Sequence, residues 1–263
     1  MKPLTLMILP LFLLLAACRT PAGTATPTAP TPPTRPAAPA IATTAPAPPQ
    51  DVSIPAGDGL AIQGTFYPGP GSGPWPAILL LHMLGSQRQA WDDTGLPPAL
   101  NQAGYAVLAI DLRGHGQTGG SIDWPQVDDD LPRVWAYLTG RDDVDPARTA
   151  IIGASIGANL ALRAAANLPQ VRGVVLLSPG LDYRGVTTTD ALDRYGPRPL
   201  LIVASEEDST AASASRLLTD LTPGEARLIM YDGAGHGTDM FTARPELSAE
   251  ITGWLNRLLA ATE

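Results

Sequence analysis

Residues 149–158 read TAIIGASIGA, a short apolar run that ends in a serine flanked by small residues. The run 149–154 has the length and apolar content of a strand buried on both faces, and a helical pattern follows it. Ser155 is therefore predicted at a sharp strand-to-helix turn, with Gly153 and Gly157 on either side of it. The helix that follows aims free N–H groups and the positive end of its dipole at this turn.

The rest of region 51–263 alternates short apolar runs with helical patterns. This alternation predicts an α/β fold of repeated βαβ units, with a mostly parallel central sheet flanked by helices. A GDG turn at 57–59 predicts an antiparallel hairpin over 52–67. The predicted strands are 77–82, 105–111, 149–154, 171–178, 200–204 and 226–231. The predicted helices are 96–103, 130–139, 155–167, 210–221 and 247–260.

The charge and the cysteine count exclude several classes of protein. The chain of 263 residues has 17 Lys and Arg against 25 Asp and Glu, a formal charge of -8, which is the wrong sign for binding phosphate backbones. One Cys cannot form an intrachain disulfide, and 3 His without CxxC or HExxH spacing leave no recognisable zinc site. The sequence predicts no nucleic-acid partner, no metal and no cofactor, and it leaves the oligomeric state open.

The N-terminus has the pattern of a targeting segment. One Lys precedes a mostly apolar run over 4–15, which is too short for a stable membrane span. The run ends in LAAC at 15–18, which resembles the lipobox of bacterial lipoproteins. The resemblance implies that 1–17 is a cleaved signal peptide. It also implies that Cys18 is lipidated and anchors the protein to the bacterial cell membrane on its extracytoplasmic side.

A biased segment follows the cysteine. Residues 19–50 are rich in Pro, Ala and Thr and contain no acidic or aromatic residue. Such a composition cannot bury enough apolar surface to form a core. Residues 18–50 are therefore predicted to be the lipidated Cys18 followed by a disordered tether, and 51–263 to be the folded domain.

Four features of region 51–263 together resemble the α/β-hydrolase superfamily, and the resemblance covers essentially the whole region. They are the GxSxG turn at Ser155, an acidic loop after a buried strand, the Gly-flanked His236 after the last strand, and DLRGHG at 111–116. The order serine, acid, histidine is that of the superfamily. The resemblance implies the α/β-hydrolase fold, with 51–263 as catalytic domain. Segment 180–198, where many relatives insert a lid, is too short for a substantial cap.

The resemblance also implies a catalytic triad. Ser155 is the implied nucleophile, His236 the base that takes its proton, and Asp208 the carboxylate that orients the imidazole and stabilises its cation. The position of the acid stays open among neighbouring carboxylates. The other candidates are Glu206, Glu207 and Asp182.

The oxyanion hole is implied to use two backbone N–H groups. One belongs to Ile156, and the other to the loop after His82, by family position Leu84. Met83 stands where the superfamily has a glycine, so the second donor stays open between Met83 and Leu84. The thioether of Met83 is expected to narrow the active-site cleft, on either its acyl side or its leaving-group side. His82 and His115 are predicted to brace loops.

Taken together, these features predict a membrane-tethered serine hydrolase that cleaves small-molecule carboxylic esters through an acyl-enzyme. A serine at the turn and the absence of cysteine from the domain exclude relatives that use Asp or Cys there. Without a cap, the cleft is expected to be shallow and to favour small or exposed acyl groups. Two alternatives remain open: a peptidase or amidase with the same triad, and a non-catalytic binding module on the same scaffold.

Overall fold

The computed structural model describes residues 47–260. The predictions for the signal peptide, for the lipidation of Cys18 and for most of the tether lie outside the described residues. The first strand begins at Gln50, the last residue of the predicted tether, because Gln50 already pairs with Phe66 of the second strand. Among the described helices, none combines the length and the apolar content that crossing a membrane requires.

A mostly parallel sheet of eight strands forms the centre of the domain, as predicted. The strands are β1 (Gln50–Pro55), β2 (Ala61–Tyr67), β3 (Trp75–Leu81), β4 (Ala106–Ile110), β5 (Val144–Ala154), β6 (Gly173–Leu177), β9 (Leu200–Ser205) and β10 (Ala226–Tyr231), and a separate small hairpin contains β7 (Asp182–Tyr183) and β8 (Val186–Thr187). Their spatial order is β1-β2-β4-β3-β5-β6-β9-β10. β2 pairs antiparallel with β1 and β4, and the other neighbours are parallel. All six predicted strands and the predicted hairpin are confirmed.

Helices flank the sheet on both faces. They are α1 (Ala90–Asp93), α2 (Leu96–Gln102), α3 (Trp124–Thr139), α4 (Ile156–Asn167), α5 (Thr189–Tyr195), α6 (Ser209–Leu221), α7 (Met240–Ala243) and α8 (Leu247–Leu258). The five predicted helices correspond to α2, α3, α4, α6 and α8. α3 begins at Trp124 rather than at residue 130, because the Asp123 side chain caps it by accepting the Gln126 N–H, and a proline occupies its first turn.

The sheet separates two hydrophobic cores. Leu79 and Leu81 of β3 belong to the core beneath α3 and α4, whereas Ile78 and Leu80 belong to the core beneath α2 and α8. Successive side chains of a strand point to opposite faces, so a strand covered on both faces is apolar at every position. This is why the strands are visible in the sequence as continuous apolar runs.

The carboxyl ends of the parallel strands meet at one edge of the sheet. Leu81 at the end of β3 pairs with Ile110 of β4 on one side and with Gly153 of β5 on the other. Leu177 at the end of β6 pairs with Val203 of β9. The loops after β3, β4, β5, β6 and β9 therefore lie side by side at this edge. β10 pairs parallel with β9, so the loop after β10, which carries His236, ends at the same edge.

Candidate active site

Ser155 occupies the turn between β5 and α4 in a strained backbone conformation, with φ 55° and ψ −123°. Residues other than glycine rarely adopt a positive φ, and they keep it only where the surroundings enforce it. Here the Ser155 N–H donates to the carbonyl of Leu177 at 2.8 Å, and its own carbonyl accepts the N–H of Ala158 at 2.8 Å. The serine is thus held from β6 on one side and from α4 on the other.

The glycines around Ser155 are required by close packing of backbone on backbone. A Cβ added to Gly153 would lie 2.0 Å from the carbonyl oxygen of Gly157. A Cβ added to Gly157 would lie 2.4 Å from the carbonyl oxygen of Leu81. No side chain fits at either position, so α4 starts directly against the ends of β5 and β3.

Asp208 and His236 are paired at the same edge. His236 Nδ1 lies 2.5 Å from Asp208 Oδ2, and the other oxygen of Asp208 accepts the Ala211 N–H at 3.3 Å as the N-cap of α6. The helix cap therefore fixes the carboxylate so that its second oxygen faces the imidazole. With the Nδ1 proton directed at Asp208, neutral His236 keeps a lone pair on Nε2.

The other acidic candidates have different partners. Glu206 forms a surface ion pair with an arginine of α6. Asp182 accepts a backbone N–H within the β7–β8 turn at 2.6 Å. Glu207 binds the backbone of the loop that precedes His236. Within the described residues, Asp208 alone among the four contacts His236.

Side chains at the ends of two strands, β6 and β9, clamp the histidine loop, residues 233–237, by its backbone N–H groups. Glu207 accepts two of these N–H groups, at 2.7 and 2.8 Å, and Ser205 Oγ accepts a third at 2.8 Å. Ser178 Oγ accepts the N–H of the residue after His236 at 2.9 Å. The loop N–H groups, with the Ser205 hydroxyl, lower the pKa of Glu207 to about 2. Sequence reasoning missed this clamp, although a serine at the end of a buried apolar run was a signal for it.

His82 fixes the loop that follows β3. Its Nε2 accepts the N–H of Leu112 at 3.0 Å, so its Nδ1 carries the proton and donates to the carbonyl of Met83 at 2.7 Å. Burial lowers the pKa of His82 to about 4, which keeps the ring neutral. The Met83 carbonyl also accepts the Ser86 N–H at 3.2 Å. In a trans peptide the N–H of Leu84 points away from that carbonyl, so its direction is fixed as well.

The Met83 side chain packs against the histidine loop, whereas the sequence led us to expect it in the cleft. Met83 Sδ lies 3.8 Å from Thr238 Oγ1, and a Cβ added to Gly237 would lie 2.3 Å from the same sulfur. That Cβ would also lie 3.5 Å from the Cβ of Ala154. Gly237, the residue after His236, therefore lies against Ala154, the residue before Ser155. Within residues 47–260, the His236 side chain makes its hydrogen bond to Asp208 and none to Ser155 Oγ.

Comparison with known proteins agrees with this architecture. A family model described as alpha/beta hydrolase fold matches residues 76–194. The chain has the α/β-hydrolase fold. It is 28% identical over 205 residues to the uncharacterized protein Rv2307c of Mycobacterium tuberculosis, which is 71% of this chain and 72% of that protein.

Est1E and an acetyl xylan esterase are among the solved structures with this fold. Est1E from Butyrivibrio proteoclasticus, solved with ferulic acid bound, superposes with a TM-score of 0.70 at 18% identity, over 80% of this chain and 100% of that one. Acetyl xylan esterase from Paenibacillus sp. R4 superposes with a TM-score of 0.69 at 19% identity, over 80% of this chain and 84% of that one. At these identities the likeness shows the fold.

The β7–β8 hairpin places Tyr183 next to His236, a contact that the sequence did not predict. The ring of Tyr183 meets the ring of His236 edge to face, with centroids 6.4 Å apart. Burial raises the pKa of Tyr183 to about 12, so it is a neutral phenol at ordinary pH.

Across the described range, no cluster of three His, Cys, Asp or Glu side chains is placed to hold a metal ion.

Proposed function

We propose that this protein is a serine hydrolase that cleaves carboxylic esters, tethered to the outer side of the bacterial cell membrane by a lipid on Cys18. The observation that carries the proposal is the Asp208–His236 pair at the same sheet edge as a serine in strained geometry. A strained serine beside a base that a carboxylate orients is the constellation of nucleophilic acyl transfer.

In the proposed mechanism, Ser155 Oγ attacks the ester carbonyl while Nε2 of His236 takes its proton. Asp208 stabilises the imidazolium that forms. Collapse of the tetrahedral intermediate expels the alcohol, which receives the proton from His236, and leaves the acyl group on Ser155. Water then attacks the acyl-enzyme, with His236 again acting as the base, and releases the acid.

The proposed oxyanion hole combines the N–H of Ile156 with that of Leu84. Ile156 is the first residue of α4, so its N–H has no acceptor within the helix. Leu84 is favoured over Met83 because His82 and Ser86 hold the Met83 carbonyl and thereby aim the Leu84 N–H.

One further observation favours esters over amides, and a second bears on the size of the acyl group. The solved structures with this fold include an acetyl xylan esterase and the Pyrococcus furiosus esterase Pf2001. Segment 180–198 forms only the two-residue strands β7 and β8 and the seven-residue helix α5. Such a small cover leaves the site open, which suits acyl groups that are small or partly exposed to solvent.

The test is hydrolysis of short acyl esters by the full chain. We expect Ser155→Ala to lower kcat by at least about a thousandfold, because the nucleophile is lost, and Ser213→Ala on the exposed face of α6 to have no effect. Unchanged hydrolysis by Ser155→Ala refutes the proposal.

Anilides of the same acids, assayed in parallel with the esters, decide between an esterase and an amidase. Absence of turnover on both favours a binding module.

A further inference from the structure

A buried ion pair follows the turn that carries the proposed second oxyanion donor, residues 83–86, called here the oxyanion turn. Arg88 is 3% exposed and Asp111 is 0% exposed. The Arg88 guanidinium contacts Oδ2 of Asp111, and the backbone N–H of Arg88 donates to Oδ1 at 2.7 Å. One carboxylate thus binds both the main chain and the side chain of Arg88. Nothing in the proposed acyl-transfer mechanism uses this pair.

Other polar atoms of the ion pair have partners as well. Arg88 Nε donates to Thr65 Oγ1 at 3.0 Å, and Nη2 donates to Gln117 Oε1 at 2.9 Å. Asp111 Oδ2 also accepts the Gln117 N–H at 2.8 Å. A Cβ added to Gly116 would lie 2.3 Å from Asp111 Cγ, so the backbone closes directly over the carboxylate. These hydrogen bonds fix directions, which an apolar contact does not.

The ion pair completes a two-point attachment of the oxyanion turn to the end of β4. Before the turn, His82 Nε2 accepts the N–H of Leu112 at 3.0 Å. After the turn, Arg88 binds Asp111, the residue that precedes Leu112. Both attachments therefore end on two adjacent residues that directly follow β4. The turn cannot shift relative to this strand without breaking one of them.

Between its two attachments the oxyanion turn has little support of its own. The Met83 carbonyl accepts the Ser86 N–H at 3.2 Å, and Gly85 at the third position of this turn has φ 71°. Leu84, Gly85 and Gln87 are exposed, so packing does not hold them. The direction of the Leu84 N–H therefore depends on the residues at the two ends of the segment.

We infer that Arg88 and Asp111 are positioning residues of the proposed hydrolysis, which hold the oxyanion turn so that the Leu84 N–H meets the negative charge developing on the ester oxygen. The inference rests on the proposed function. Both side chains are buried, so they act through the turn and not on the substrate. A buried ion pair adds little stability compared with apolar residues of the same volume, because desolvation offsets its attraction. An exact position is what it supplies here, and a misplaced donor weakens transition-state binding.

The test compares Asp111→Asn with Asp130→Asn, using the full chain and phenyl acetate well below the thermal midpoint of each variant. In Asp111→Asn the amide N–H₂ faces an N–H donor in either orientation. We expect kcat to fall by at least about tenfold and KM to change by less than about twofold, because the oxyanion forms only in the transition state.

Asp130 of α3 is the matched control. It is 4% exposed and binds Arg113 with both oxygens at 2.9 Å, so Asp130→Asn also breaks a buried ion pair. Its loss should lower the thermal midpoint but change kcat by less than about twofold. A wild-type kcat in Asp111→Asn, or an equal loss of kcat in both variants, overturns the inference.

Hydrogen exchange followed by mass spectrometry tests the attachment without a substrate. We expect the amides of residues 84–88 to exchange at least about tenfold faster in Asp111→Asn than in the wild type, and at the wild-type rate in Asp130→Asn. Equal exchange in all three proteins overturns the inference whatever the esterase assays give. If the wild type hydrolyses no ester, the proposed function fails, and faster exchange in Asp111→Asn alone still supports the attachment.

Arg88→Lys replaces Asp111→Asn in both measurements if that variant does not fold. One ammonium group cannot bind Asp111, Thr65 and Gln117 together, so the turn should be held less firmly. The expected loss of kcat is about threefold with KM unchanged. An unaltered kcat in Arg88→Lys then overturns the inference.

Discussion

At the scale of single residues, the site depends on positions where the backbone is strained or leaves no room for a side chain. Ser155 keeps a positive φ that costs on the order of 1–3 kcal/mol for a residue with a side chain. Gly157 has no room for a Cβ because the carbonyl of Leu81 would lie 2.4 Å from it. Such contacts with backbone cannot be relieved by a change of rotamer.

Gly157→Ala is therefore expected to lower the free energy of unfolding by more than about 2 kcal/mol, since α4 would have to move away from β3. Gly253→Ala is the matched control: it lies within α8, and its added Cβ would meet only an arginine nitrogen at 3.9 Å. There the helix propensity of alanine should stabilise the protein by about 0.5–1 kcal/mol. Urea unfolding of both variants checks this, and equal effects would contradict the packing at Ser155.

His82 makes stability depend on pH. Burial lowers its pKa to about 4 from 6.5, so between these values the unfolded chain binds a proton that the folded protein does not. The free energy of unfolding should fall by about 3 kcal/mol as the pH drops from 6.5 to 4, and this part should be absent from His82→Asn. Urea unfolding of both proteins measures it. Between pH 7 and 8 the two curves should run parallel. Equal slopes below pH 6.5 would show that His82 is not buried as a neutral ring.

Some residue roles could be derived from the sequence and others could not. The Ser155 turn is visible because a buried strand, a glycine-flanked serine and a helix follow one another without interruption. The choice of Asp208 over Glu206 and Glu207 depends on where α6 begins, since the residue before its first turn becomes the N-cap and turns its second oxygen to His236. The N-cap preference of Asp before a helical pattern was the usable signal.

At the scale of elements, the histidine loop is held in place by acceptors from other loops. Its N–H groups bind Glu207, Ser205 and Ser178, which follow or end two different strands. These acceptors come from positions that are distant in sequence, and the sequence contains no local pattern that links them to residues 233–237. Helices α1 and α7 were missed for a related reason, because four residues are too few to show a helical period, and the seven-residue helix α5 was missed as well.

Glu207→Gln should disorder the histidine loop, because one amide oxygen replaces two carboxylate oxygens and an amide N–H₂ then faces a loop N–H. We expect kcat/KM for a short ester to fall by at least about tenfold, since His236 loses its position. Glu206→Gln, one residue away and paired only with a surface arginine, should change it by less than about twofold. Steady-state kinetics of the two variants measure this, and similar losses in both would contradict the clamp.

The same clamp predicts a pH dependence of stability. The folded pKa of Glu207 is about 2, below its ordinary value of 4.5, so its stabilising contribution is present above pH 4.5 and is lost as the pH falls toward 2. The difference in thermal midpoint between wild type and Glu207→Gln should be constant above pH 5 and shrink below pH 4.5. A difference that persists unchanged at pH 2.5 would show that the carboxylate is not the stabilising group.

At the scale of the whole molecule, the domain and its proposed anchor are predictions of different kinds. The alternation of apolar runs and helical patterns was enough to predict the central sheet, the parallel direction of most of its strands and the helices that flank it. The anchor rests on LAAC at 15–18 and on the biased composition of 19–50, both outside the described residues.

Cys18→Ser tests the anchor. Expressed in a bacterium, the wild type should be found in the membrane fraction and should incorporate labelled palmitate, because acyl chains on Cys18 bury their CH₂ groups in the bilayer. Cys18→Ser should lose the label. Retention of labelled palmitate by Cys18→Ser would contradict lipidation at this residue, and ester hydrolysis by the released protein should be unchanged.

The central claim is that Ser155, His236 and Asp208 form a working nucleophile at this edge of the sheet. Labelling of the full chain with a fluorophosphonate, followed by intact mass, tests it most directly, because the reagent reacts only with an activated serine next to a formed oxyanion hole. We predict one label per chain on Ser155 of the wild type and none on Ser155→Ala. A folded wild type that takes no label, or a Ser155→Ala variant that is labelled as fast as the wild type, would contradict the claim.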